Sequence, residues 1–575
     1  MLRILRFIKP YRPMLILVLG LSFLSSIANL YLPKLMADIV DVGVVRGNTS
    51  YIFRVGAIML LIAIAGTTCS VVGSFFSAKV ATGFGRIVRE KAFRHVESFS
   101  LHEFDSFGTA SLITRMTNDP TQIQQVLTMT FNMTIAAPMM IVGGIILALT
   151  QDVTLTLVLV AAMPLVAALF LLVMRKAIPI FQIIQLKIDK LNLILDEALG
   201  GVRVIRAFDR GAYEHKRFDV ANLDLTNAAV QVNRLMAFLM PGMMLTLNFT
   251  TLAVLWFGSI RVNDGHMQIG SLIAFLQYAT FILWSVLMMT VMFVMLPRAA
   301  ASAARINEVL DVAPEIRDPA RTGPAGALRG HVQFDHVTFS YPGAEEAALS
   351  DVSFTAGAGE VTAIIGGTGS GKSTLVSLIP RFYDIDSGRV LVDGIDVRDM
   401  PQADLRLKIG FVPQKAVLFS GTISDNLRFG KGDASDAELR RASSVAQATE
   451  FVADMPNGLE SIIAQGGINL SGGQKQRLSI ARALAREPEI YVFDDSFSAL
   501  DFATDARLRA GLRGETSGSS VFIVSQRVGT IMDADRIIVL DEGRIVGIGT
   551  HSDLLESCPV YREIVESQIS LNGAA

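Results

Sequence analysis

The chain is 575 residues long, 51% hydrophobic and only 18% charged, with 51 basic residues against 53 acidic ones. A soluble globular chain carries about 25% charged residues, so this balance disfavours a wholly soluble protein, and it excludes disorder, which needs few apolar residues and high net charge. The net charge of −2 leaves no overall nucleic-acid footprint, and Cys69 and Cys558 match no metal or redox spacing, so a disulfide scaffold is out.

The apolar residues concentrate in the first 300 positions, in runs long enough to cross a bilayer, which takes about 20 residues as helix. Six spans are predicted, over 14–40, 53–78, 128–150, 153–174, 236–260 and 270–296. Arg3, Arg6, Lys9 and Arg12 precede the first span with no acid beside them, which predicts a cytoplasmic N-terminus. The apolar run after them is longer than a signal-peptide core and reads as a retained anchor. With an even number of spans the C-terminal half lies on the same side.

The connections agree with that orientation. Outer segments at 42–50, 151–152 and 261–267 are short and carry only Arg46 and Arg261, whereas the inner connections at 79–127 and 175–235 are rich in Arg and Lys. Both inner connections have helical spacing, broken by turn-like stretches at 104–108 and 209–211. At about 1.5 Å per residue, roughly 20–25 extra residues carry a helix some 30–37 Å beyond the membrane. Long helical hairpins are expected, with tips that meet a cytoplasmic partner.

Residues 297–305 are expected to end the last span, and 311–330 is a linker by its Pro, Gly and Ala content. The chain thus divides into a transmembrane domain at 1–310, the linker, and a second domain at 331–575. There, short β-branched runs at 361–366, 389–392, 409–412, 490–494, 520–525 and 536–540 alternate with helical patterns. That alternation predicts a mostly parallel, covered sheet.

Gly366–Gly367–Thr368–Gly369–Ser370–Gly371–Lys372–Ser373 fits G-x-x-x-x-G-K-[ST] in full, straight after a predicted strand and continued by Thr374. Glycines let backbone N–H groups turn inward around phosphates at a helix start. Lys372 would reach the β- and γ-phosphates and the Ser373 hydroxyl would ligate Mg²⁺. A nucleoside triphosphate site is predicted. The apolar strand 490–494 ends in Asp494, the carboxylate from which such proteins hold Mg²⁺, usually through water.

Between these lies Leu470–Ser471–Gly472–Gly473–Gln474, continued by Lys475–Gln476–Arg477. With this LSGGQ the chain resembles the ATP-binding cassette family over its whole length, and its layout looks like a half-transporter of the ABC exporter class. The resemblance implies an all-α transmembrane domain of six helices with long cytoplasmic hairpins, then an α/β P-loop cassette domain that takes ATP and Mg²⁺. It implies that Tyr341 stacks on adenine and that Gln414 senses Mg²⁺ and the γ-phosphate. It assigns Ser498–Ala499–Leu500–Asp501 to the loop that crosses the dimer interface. Ser471, Gly472, Gly473 and Gln474 would bind a phosphate brought by another subunit at a helix N-terminus. Two such cassettes close head to tail around two ATPs, so one cassette per chain implies a dimer. Phe104, Asp105, Gly108, Leu112, Arg115 and Asp119 resemble the first coupling segment of the family, and Ala207, Phe208, Glu214 and Phe218 the second.

Two positions depart from the family. Where hydrolysing cassettes carry a glutamate as general base, this chain has Asp495, one methylene shorter; a misplacement of about 1 Å can cost about 10²-fold in rate. Where the family has its switch histidine, this chain has Gln526, which cannot carry a proton near neutral pH. The phosphate-binding parts, Gln414 and Asp494 included, are intact. The pattern resembles the degenerate-site subunit of heterodimeric bacterial multidrug exporters: ATP bound well and hydrolysed slowly, with an intact LSGGQ donated to a partner's site. The alternatives are a homodimer that tolerates both substitutions and an ATP-gated channel; the channel predicts charged rings along the pore, and the sequence has none.

The last two spans are rich in Met and Phe, with Met236, Met240, Met243, Met244, Phe249, Phe275, Phe281, Trp284, Met288, Met289, Met292 and Phe293. Such side chains suit a site that re-packs around varied apolar ligands, and equally an ordinary packing surface. Charged residues mid-span are essentially absent apart from Lys34, Asp38 and Asp41 near the outer end of the first span, which disfavours ion coupling. The expected protein is therefore a multi-pass half-exporter of the cytoplasmic (inner) membrane with both termini in the cytoplasm. Its expected partners are a second half-transporter, membrane lipids and a small hydrophobic or amphipathic substrate, without nucleic acid.

Overall fold

The computed structural model describes residues 2–319 and 328–572, without the side chains of 2, 290, 291, 293, 294 and 569–572. The chain forms two compact units, Met1–Glu97 with Thr109–Val312, and Ser98–Gly108 with Ala313–Ala575. Of the predicted linker at 311–330, positions 320–327 lie outside the described residues.

The first unit is helical: α1 (Arg12–Asp38), α2 (Thr49–Glu97), α3 (Asn118–Gln151), α4 (Val153–Gly200), α5 (Gly211–Ala237), α6 (Leu239–Asn263) and α7 (Ile269–Asp311). Six helical stretches among the described residues are long and apolar enough to cross a membrane. The 49 residues of α2 extend about 74 Å at 1.5 Å per residue, more than twice a hydrocarbon core of about 30 Å. Leu60, Leu61, Ile64, Leu171 and Leu172 point outward and are exposed, an arrangement stable against lipid and costly against water. This is a multi-pass membrane protein.

Among the described residues of this unit the buried carboxylates Asp119 and Asp152 stand at helix ends, as does the partly buried Asp41. Asp152 accepts from the backbone N–H groups of Thr154 and Leu155, capping α4, and from Arg261 Nε at 2.8 Å, which ties the α3–α4 turn to the end of α6. Asp41 accepts from Gly270 N at 2.6 Å and Ser271 N at 3.2 Å and so caps α7. Toward the opposite end, buried Asp119 pairs with Arg305, and Arg115 donates to Arg305 O at 2.9 Å and to Glu308 at 2.8 Å. The family-like positions Arg115 and Asp119 therefore clamp α7.

One sequence expectation is extended and a second is corrected. The helix that carries the last span does not end with it but runs through Pro297 to Asp311. A proline removes one backbone donor, and here Ala299, Ala303 and Ile306 are buried on the next turns and hold the helix on course. Nor is 104–108 a turn throughout. Leu101–Phe107 is helical because Ser100 and Glu103 form a reciprocal capping box, and only Gly108, at φ 72°, leaves the helix. Glu103 also accepts from Glu315 N at 2.8 Å within the second unit. At 209–211 the turn is as expected, with Asp209 at φ 51°.

The second unit holds β1 (Val332–Phe339), β2 (Leu349–Ala356), β3 (Val361–Gly366), β4 (Ser387–Val392), β5 (Ile395–Asp396), β6 (Ile409–Val412), β7 (Ile490–Asp494), β8 (Ser520–Val524), β9 (Arg536–Asp541) and β10 (Arg544–Gly549). The larger sheet has the order β10-β9-β3-β8-β7-β6 and is parallel except for edge strand β10. Strands β7 and β8 are buried at every residue, as central parallel strands covered on both faces should be. The run at 389–392, predicted as part of the parallel sheet, belongs instead to a separate antiparallel sheet ordered β2-β1-β4-β5.

Asp152→Ala is expected to destabilise the membrane unit by about 2 kcal/mol, through the lost helix cap and the lost partner of Arg261. Asp152→Asn, which keeps the cap, should cost about half as much. Thermal midpoints of the two variants in lipid nanodiscs check the ranking.

Candidate ATP site

The register of the parallel sheet brings the motifs together. Val524 stands opposite Asp494 on one side and Ile364 on the other, so β3, β7 and β8 end side by side. Ligands of open α/β sheets bind off such carboxyl ends. The glycine loop after β3, Asp495 after β7 and Gln526 after β8 are therefore aimed at one place. Asp495 N donates to Val524 O at 3.1 Å and locks the last two together.

A cleft of about 470 Å³ opens there, lined by Tyr341, Thr368, Gly369, Gly371, Lys372, Ser373, Thr374, Gln414, Asp495 and Gln526 among others. The backbone explains two of the glycines. Gly371 adopts φ 96°, and a Cβ there would stand 2.7 Å from Ala348 O; a Cβ on Gly366 would collide with Leu540 O. Lys372 begins the helix Lys372–Leu378, and its buried ammonium curls over the loop to Gly366 O at 3.0 Å, Gly367 O at 2.6 Å and Ser370 Oγ at 3.4 Å. Burial holds its pKa below the ordinary lysine value, against the opposing pull of Asp495 and Asp494. Among the described residues this buried cation has no ion pair, which fits an incoming phosphate.

Ser373 Oγ donates to Asp494 Oδ1 at 2.8 Å. Burial pushes the Asp494 carboxyl above its ordinary value; the Ser373 hydrogen bond opposes this, and the adjacent Asp495 adds to the rise. Asp494 likewise has no ion pair among the described residues. A hydroxyl and an uncompensated carboxylate in contact are hard oxygen donors, a set that fits Mg²⁺. Gln414, just beyond β6, donates through Nε2 to Asp495 Oδ2 at 3.3 Å. Asp495 itself sits at φ 44°, a left-handed conformation. Tyr341 is half-exposed beside the loop, its hydroxyl 3.0 Å from Thr374 Oγ1 and its ring edge-on to Phe339 and Tyr383.

Other predicted site residues stand apart. Ser471, Gly472, Gly473 and Gln474 are not among the residues lining this cleft. Ser471 caps the 15-residue helix Gly472–Arg486, with Gln474 returning the bond, and Ser471 and Gly472 are exposed. Asp501 caps the helix Phe502–Glu515 by accepting from Thr504 N at 2.9 Å, which holds its carboxyl below the ordinary value.

Sequence reading left three residues near the site without a role. Buried Gln476 donates to Pro413 O at 3.3 Å, joining the LSGGQ helix to the Gln414 loop. Arg527 reaches Ser498 O at 2.9 Å, and Gln568 reaches Gln526 O at 2.7 Å. Gln476 and Arg527 lie beside quoted motifs, whereas Gln568 carries no local signal at all.

In the membrane unit, Met240, Met243, Met244 and Trp284 line an apolar pocket of only about 30 Å³. Ligand pockets for drug-sized molecules run to about 300–1,000 Å³. Phe275 is fully buried, Phe249 is exposed, and the Phe293 side chain lies outside the described residues.

Residues 15–286 match the ABC transporter transmembrane region, and residues 349–498 match the ABC transporter family. An uncharacterised ABC transporter ATP-binding protein of Mycobacterium tuberculosis is 45% identical over 98% of this chain and 97% of its own. YfiB of Bacillus subtilis, also an uncharacterised ABC transporter ATP-binding protein, is 39% identical over 100% of both chains. The ATP-dependent lipid A-core flippase of Pseudomonas fluorescens is 32% identical over 88% of this chain and 84% of its own. The solved structure of a bacterial Atm1-family ABC exporter with ATP bound superposes with a TM-score of 0.81 at 25% identity, over 97% of this chain and 99% of that one. The chain belongs to the ABC transporter family, as an exporter with its transmembrane and ATP-binding domains fused in one polypeptide.

Proposed function

We propose that this exporter chain is one half of a heterodimer in the cytoplasmic membrane, holding ATP at a slow site of its own and completing a fast site on its partner. One observation carries the reading: Asp495 and Gln526 line the same cleft as the intact Lys372 and Ser373. The cleft keeps its means of binding a triphosphate while the two groups suited to activating water are replaced.

In this reading Gly366, Gly367, Thr368, Gly369, Ser370, Gly371 and Lys372 cradle the phosphates, with Thr374 behind them and Tyr341 supporting adenine. Ser373, Gln414 and Asp494 would hold Mg²⁺, which when bound neutralises phosphate charge. Asp495 stands in for the general base, held back by its shorter side chain and by its hydrogen bond from Gln414. Gln526 orients through a hydrogen bond and moves no proton.

The exposed Ser471 and Gly472 open a helix whose free N–H groups favour an anion. They lie away from this chain's own cleft, and so are available to a partner's nucleotide. The second hairpin tip exposes Val204, Phe208 and Tyr213, an apolar surface for a second subunit to cover. The Arg- and Lys-rich inner connections support cytoplasmic termini. Likeness to a lipid A-core flippase supports amphipathic or hydrophobic substrates.

In the two-subunit complex, Ser471→Ala is expected to lower ATP turnover by about 10²-fold, as loss of an oriented phosphate donor does. Asp495→Asn should change it by less than about twofold, because the general base of the fast site belongs to the partner. Steady-state ATPase assays in lipid read both, and the reverse ranking would sink the assignment. The chain alone should turn over ATP at least about tenfold more slowly than the complex. Equal rates would mean that Asp495 and Gln526 suffice in a homodimer.

A further inference from the structure

The loop after β8 is held from outside the cleft. Gln568, on the helix Pro559–Asn572, accepts through Oε1 from Val528 N at 2.9 Å and donates through Nε2 to Gln526 O at 2.7 Å. One side-chain amide thus satisfies a backbone acceptor and a backbone donor on either side of Arg527. The helix that carries it is itself anchored: Tyr561 and Val565 are buried in the same core cluster as Val528 and Ile531, and the Tyr561 hydroxyl meets His551 Nδ1 at 2.7 Å.

Arg527, between the clamped residues, turns the other way. Its N–H donates to Ser525 Oγ at 3.0 Å, and its guanidinium donates to Ser498 O at 2.9 Å and lies over the Phe502 ring at 5.5 Å. Burial pushes the carboxyl of Asp505, on the helix Phe502–Glu515, above its ordinary value, and the charges of Arg509 and Arg527 oppose that rise. Arg527 thus ties the clamped loop to the 498–501 loop.

We propose that Gln568 is a positioning residue for the reaction at this cleft: it fixes where Gln526 stands, so that the C-terminal helix sets both the terminal-phosphate side of this chain's site and, through Arg527, the 498–501 loop. The proposal rests on the reading of Gln526 as the residue that faces the terminal phosphate. An amide clamp suits the task because both of its atoms are committed to backbone, and small displacements of a positioning group change rates far more than they change binding.

The test uses the full-length complex in lipid, with Gln568→Ala, which removes both bonds, and Gln568→Glu, which keeps an acceptor for Val528 N but loses the donor to Gln526 O. Hydrogen exchange is read first, because it is independent of how fast the site hydrolyses ATP. Amides at 525–530 should exchange about fivefold faster or more in Gln568→Ala, the equivalent of losing a hydrogen bond, while β3 and β7 keep their protection. Turnover is then read in an Asp495→Glu/Gln526→His background designed to speed this site, with Ser471→Ala added to silence the partner's fast site so that this cleft alone is read. There both Gln568 variants should lower kcat by about fivefold to tenfold with the KM for ATP within about twofold.

Unchanged exchange at 525–530 would overturn the proposal. So would an equal loss of protection across the sheet, which would make Gln568 a support of the fold alone, or an unchanged kcat in a background that has gained activity. If the repaired background gains no activity, the reading of Asp495 and Gln526 as the slow elements fails. The exchange result still decides the role of Gln568.

Discussion

Everything in the cassette depends on the in-register parallel pairing of β3, β8 and β7. Because Val524 lies between Ile364 and Asp494, strands from distant parts of the sequence end at one level. The chemistry needs no long-range reach from any side chain. The sheet delivers the ammonium of Lys372, the Mg²⁺-type pair of Ser373 and Asp494, and the side chains of Asp495 and Gln526 to a single cleft. A one-residue slip of β7 would turn its side chains to the opposite face of the sheet and take Asp494 away from Ser373. The full burial of β7, from Ile490 to Asp494, is what forbids that slip.

The membrane unit obeys the opposite economy. Its surface is apolar toward the outside, so hydrophobic burial does little to choose one arrangement of helices over another. The choice falls to a few polar contacts at helix ends. Asp41, Asp119 and Asp152 each bind a backbone or a guanidinium on a helix distant in sequence. Acids near a membrane invite a reading as ion-coupling groups, but the contacts of Asp41 are those of a helix cap on α7. That is consistent with a transporter driven from its cassette rather than by an ion gradient.

Much of this was legible in the sequence, for physical reasons that differ by element. The spans showed because runs of about 20 apolar residues have few other uses. Strands β3 and β7 showed because a buried strand next to a glycine loop, or ending in a carboxylate, leaves a compact local trace. Strand β4 read as one more strand of the parallel sheet, because pairing partners leave no mark on a short β-branched run. The helix Leu101–Phe107 was hidden by a glycine that ends it, although the Ser100–Glu103 spacing is itself a helix-start signal. Gln568 was invisible, since its partners are far off in the chain and it belongs to no motif. The likeness of Asp495 and Gln526 to degenerate positions was readable from sequence, but the hydrogen bond from Gln414 that engages Asp495 was not.

The membership of Ser98–Gly108 in the cassette's unit also has a consequence for biosynthesis. The tip helix is made early, between two membrane spans, yet Glu315, whose N–H its Glu103 accepts, is separated from it by 212 positions. At about 5–20 residues per second that is a wait of about 10–40 s. During this interval the cassette, which begins after Glu315, has not yet been synthesised. The tip's own capping box is the stabilising feature available to it over that time. The tip therefore matures with the cassette, long after the spans that flank it have been made.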